Sequence, residues 1–134
     1  NRMLVLITHL YVDDAITNLY VLHKYPDKSM FRPNKFKIIS KKLEKTGFFN
    51  RYEYLKSKEK IKNVSLPRTK TMLFASIEEL NMVRTIFAHH LETLMGVNEK
   101  SLHHFMNFGY IKKLGEDILE VLKEQSKNID PRTC

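Results

Sequence analysis

The sequence has one cysteine, and it is the last residue, Cys134. An internal disulfide and a cysteine-ligated zinc are therefore both excluded, and an intracellular setting, nuclear or cytoplasmic, is expected. Glycine and proline are scarce, four of each, which leaves too little turn chemistry for a many-stranded β fold. The apolar run from Met3 to Ile7 is too short to cross a bilayer, and no small-residue cleavage site follows it, so neither a membrane span nor a signal peptide is expected. There is no Gly-x-Ser-x-Gly elbow, no glycine-rich phosphate loop and no His-Glu-x-x-His pair. Catalysis by this domain is not expected, nor is a cofactor or a small-molecule substrate.

What is present describes a globular chain. Its 134 residues suffice for one domain with a packed core. A hydrophobic content of 43% with a mean hydropathy of -0.37 is a folded composition rather than that of a disordered tail. Asn1 at the start predicts a piece cut from a longer protein.

Helical spacing dominates, and the expected fold is all-α, a compact array of about six to seven helices. Residues 2–12 are apolar nearly all round, as in a helix buried on several sides. Asp13 or Asp14 is placed to cap a second helix over residues 15–23, antiparallel to the first, with Leu10 and Ile16 packing on either side; the alternative is one continuous run kinked at the aspartates. Pro33 opens a third helix that Gly47 closes. A fourth begins at Phe48 and frays into residues 63–71, the best candidate for a linker or exposed loop. Ser76 and Glu79 form a capping box for the next helix, which runs to Gly96. Asn98 caps another, Gly109 stops it, and a last helix lies near residues 116–125. A subdivision into a basic half, 1–65, and a second half, 71–126, would meet near Leu66-Pro67.

Two motifs invite a chemical reading. Tyr11-Val12-Asp13-Asp14 has the letters of a polymerase metal site, but its flanks follow helical spacing and no glycine turn sits between strands, so helix capping is the stronger reading. His89-His90 and His103-His104 are adjacent pairs on consecutive helices. Neighbours on a helix point about 100° apart, so at most one of each pair faces a partner helix, and no metal site is expected.

Charge carries the partner signal. The net charge is +8, yet Lys24 to Lys70 holds 15 Lys/Arg against 4 Asp/Glu, while the remainder has 8 against 11. Aromatic residues are interleaved with these cations, the mixture used where phosphates are neutralised and bases stack. The expected nucleic-acid contacts, to RNA or DNA, are Lys35, Lys37, Lys41, Lys42, Lys45, Arg51, Lys56, Lys58 and Lys60. The alternative is a docking scaffold for a partner helix or peptide, using Phe48, Phe49 and Tyr52 or the apolar surface from Met3 to Leu10.

The second half, over about residues 73–123, resembles the helicase-and-RNase-D C-terminal (HRDC) domain. The matching positions are Phe74, Ser76, Leu80, Leu94, Gly96, Val97, Phe108, Gly109 or Gly115, Ile118 and Leu119. The family's proline between its Ser-capped helix and its Gly-Val turn has no counterpart here. The resemblance implies an accessory helical module of RecQ-type helicases or RNase-D-like exonucleases, one that binds nucleic acid or partner proteins and does no chemistry itself.

Overall fold

A computed structural model describes residues 2–25, 40–89 and 107–127. The fold is all-α, with helices α1 (Arg2–Lys24), α2 (Phe48–Ser57), α3 (Leu73–His89) and α4 (Phe108–Ser126). Residues 40–45 are also helical, which makes five helical segments among the described residues instead of the expected six to seven. No strand occurs among them, only an isolated antiparallel bridge between Ser65 and Met72.

The helix expected to open at Asn98 lies outside the described residues, and one helix fewer arises at Asp13-Asp14. The pair caps nothing, because α1 runs unbroken through it. Asp13 instead accepts hydrogen bonds from Thr17 Oγ1 at 3.1 Å and from Arg51 Nη2 at 3.0 Å. A carboxylate with a cation to face has no need of free backbone N–H groups, so the local signal for a helix start loses to a tertiary ion pair. Val12 and Ile16 are fully buried on either side, whereas Leu10 is 63% exposed.

α1 is the axis of the fold and packs against α2, α3 and α4. His9 meets Phe48 edge to face, Asp13 meets Arg51, and Tyr20 meets Tyr54, so α2 advances alongside α1. α3 runs the other way, with Phe74 beside Tyr52 and Asn81 bonded to His9. α4 comes closest. A Cβ built on Gly115 would lie 2.7 Å from Thr8 Cγ2, so only glycine admits this approach. One apolar core results, with Val5, Val12, Ile16, Leu55, Ile77, Leu80, Ile111 and Ile118 all inside it.

Other boundaries also shift. α3 begins at Leu73, so Ser76 is no cap; its hydroxyl pairs with Thr71 Oγ1 at 2.7 Å. The first turn of α3 is satisfied from outside the helix, by Asn63 Oδ1 accepting from the Phe74 N–H and Val64 O accepting from that of Leu73. α4 begins at Phe108, capped by Asn107 through the Tyr110 N–H, which puts Gly109 inside the helix rather than at a stop and moves its start well before Glu116. Gly47, expected to close a helix, is extended and precedes α2.

Residues 63–71, expected to be a linker or exposed loop, are an irregular and mostly exposed segment that is also pinned to α4. Asp117 is 0% exposed, and its Oδ2 accepts from the Arg68 and Thr69 N–H groups and the Thr69 hydroxyl. The Gln125 amide pairs with both the N–H and the carbonyl of Lys62. Ile61 and Leu66 are buried beneath the segment. Arg68 reaches across Glu116, Asp117 and Glu120 to close the clamp.

Candidate nucleic-acid interface

The lysines expected to contact nucleic acid separate into three groups. Lys35 and Lys37 lie outside the described residues. Lys41, Lys42, Lys45, Lys58 and Lys60 are exposed. Arg51 and Lys56 are committed elsewhere. Arg51 is only 8% exposed and donates to the carbonyls of Leu43 and Thr46 as well as to Asp13. Lys56 lies 3.7 Å from Glu78 and over the rings of Tyr52 and Phe74.

The aromatic candidates divide in the same way. Phe48 and Tyr52 are buried, while Phe49 is 45% exposed. Tyr52 donates to Glu78 Oε2 at 2.9 Å, and burial beside that carboxylate pushes its phenol well above the usual range. Two of the three proposed docking residues therefore belong to the core. Phe49 alone faces outward.

Arg51 has a structural role with a functional consequence. Its guanidinium ties residues 43 and 46 to α1 through the planar fork that arginine alone provides. The short helical segment 40–45 is thereby held near the C-terminal end of α1, and a groove of about 460 Å³ forms between them. Tyr20, Lys24, Tyr25, Lys42, Lys45 and Thr46 line it. Among the described residues no carboxylate does. Lys42 and Lys45 are one helical turn apart, so both reach the same wall.

Lys24 is held in place by its neighbours. Its Nζ donates to the Tyr20 hydroxyl at 2.8 Å and sits 5.2 Å and 5.3 Å from the ring centres of Tyr20 and Tyr54. The bond to Tyr20 raises its pKa above the ordinary lysine value, so it is a full cation at neutral pH. Lys58 and Lys60 extend the positive surface past His23. Burial, followed by the charges of Lys60 and Lys58, lowers the pKa of that imidazole and keeps it neutral near pH 7.

Sequence reasoning did not name Tyr20, Lys24 or Tyr25. The signal was present in the four-residue spacing of Tyr20 and Lys24, which places both on one helical face. That this face meets Lys42 and Lys45 depends on Arg51 and could not be read locally.

His90, His103 and His104 lie outside the described residues. Within the described residues, no group of three or more His, Cys, Asp or Glu side chains is placed to hold a metal, and no helix is long and apolar enough to cross a membrane. No protein-family model, curated protein or solved structure matches the chain.

Proposed function

We propose that this chain is a non-catalytic helical interaction module of a larger nucleic-acid-processing protein, and that it holds RNA or DNA backbone through the groove between α1 and residues 40–46. One observation carries the reading: three lysines, Lys24, Lys42 and Lys45, line one cleft with two tyrosines and no described carboxylate. Among the described residues Lys41, Lys42 and Lys45 form no ion pair, whereas Arg68 and Lys56 do. A merely solvated surface mixes signs, and a polyanion site concentrates one sign. The HRDC resemblance read from the sequence implies the same class of accessory module.

Charge reversal tests this. Lys42→Glu with Lys45→Glu should weaken binding of a short oligonucleotide at low salt by roughly tenfold or more. Reversal of Lys112 and Lys113, exposed on α4, should have a much smaller effect. Equal effects from the two pairs, or none, would overturn the reading.

A second reading, a scaffold for a partner helix or peptide, rests on α1. Met3, Ile7, Leu10 and Tyr11 form an exposed apolar stripe at steps of three and four residues. Self-association of the purified chain that Leu10→Glu abolishes, with no oligonucleotide binding, would favour it.

A further inference from the structure

We infer that the groove is a single-strand site: an unpaired base lies against Tyr25, and its flanking phosphates sit among Lys24, Lys42 and Lys45. The inference rests on the backbone-binding reading above and adds what kind of nucleic acid is held. Three lysines alone would suit any polyanion. The rest of the cleft narrows the choice.

Its volume, about 460 Å³, falls in the range of clefts that enclose a small organic ligand, roughly 300–1,000 Å³. A phosphate held by surface lysines needs no such depth. Tyr20, Tyr25 and Leu43 supply the apolar wall, and Tyr25 is half-buried at the end of α1. Tyr20 is itself buried, held against Tyr54 at 5.1 Å, so it backs the cleft rather than offering a free face. A flat aromatic ligand joined to an anion matches such a lining, because the ring stacks while the cations take the phosphate.

Base pairing decides between single strand and duplex. In a duplex the base faces are stacked on one another and cannot enter a cleft beside a tyrosine, so only phosphates would reach the lysines. An unpaired nucleotide presents both parts. Among the described lining hydroxyls, Thr46 Oγ1 already donates to the Lys42 carbonyl at 2.9 Å and that of Tyr20 accepts from Lys24, so few groups are left for reading base edges. Little preference among bases is therefore expected, since every base has a face to stack.

The test measures fluorescence anisotropy of the full chain with three probes of one length, about twelve nucleotides: single-stranded oligothymidine, the same strand with abasic sites, and a duplex. The expected result is binding of the base-bearing strand about tenfold tighter than the abasic strand, from stacking of one base. Tyr25→Ala should remove that advantage, and Tyr25→Phe should preserve it. Equal affinity of the wild-type chain for base-bearing and abasic strands would overturn the inference while leaving backbone binding intact, and it needs no variant to fold. Duplex binding tighter than single-strand binding would overturn it as well. If no probe binds at low salt, the backbone reading itself fails.

Discussion

Gly115→Ala puts the packing of α1 against α4 to a direct test. In a solvent-facing helix this change stabilises by about 1 kcal/mol, because alanine loses less backbone freedom. Here the new methyl lands 2.7 Å from Thr8 Cγ2, about 1 Å inside ordinary carbon contact. Thr8 cannot swing away, since it is buried and β-branched, with a restricted χ1 in a helix. The helices must separate, loosening the layer around Ile111, Leu114 and Ile118. Overpacking of this kind costs about 3 kcal/mol at the upper end of its range, so the net loss is about 2 kcal/mol. Thermal unfolding followed by circular dichroism should show a melting temperature lower by roughly 6–10 °C. Thr8→Ser removes the obstructing methyl and keeps the hydroxyl. Combined with Gly115→Ala it should recover most of the loss. Stabilisation by the single substitution, or failure of the double to recover, would refute the close approach of the two helices.

Three further outcomes follow from the geometry. Arg51→Met should cost about 3 kcal/mol, because it strands Asp13 and two carbonyls, and it should also weaken oligonucleotide binding although Arg51 touches no ligand; unchanged binding in the folded variant would show that Arg51 does not position the groove. Glu59 has φ 56° just past α2, where Lys60 N–H bonds to Leu55 O at 2.9 Å, so Glu59→Gly should raise stability by about 1 kcal/mol in urea unfolding, and a loss would contradict that left-handed cap. His9 is buried against Phe48 and bonded to Asn81, with Arg84 and Asp13 the charged groups facing it. Burial lowers its pKa, so the unfolded chain takes up the proton first: stability should be at its full value well above pH 6.5 and fall as pH drops through and below it, by about 1.4 kcal/mol per unit at most. His9→Gln should flatten that slope, and an identical slope would refute the assignment.

The class of fold was legible because stripes such as Ile77, Leu80 and Val83 repeat at helical spacing and do pack in the core. The boundaries were misread where cap-type residues serve distant partners. Asp13 answers Arg51, 38 positions away, and Asp117 answers Arg68, 49 positions away. Local rules for helix ends contain no information about such pairs. The same holds for the groove. The lysines could be found from composition, but which of them share a surface follows from Arg51 drawing residues 43 and 46 towards α1. Phe48 and Tyr52, candidates by type, are consumed by the core because α2 turns that face inward.

The Lys24, Lys42 and Lys45 groove is proposed to neutralise the phosphates of a bound single strand. The logarithm of the association constant for a single-stranded oligonucleotide should fall linearly with the logarithm of salt concentration. Three neutralised phosphates give a slope of about -2, and Lys58 and Lys60, if engaged, about -3.5. Lys42→Glu with Lys45→Glu should bring that slope most of the way to zero. A slope near zero for the unaltered chain, or one that the double reversal leaves unchanged, would contradict the claim.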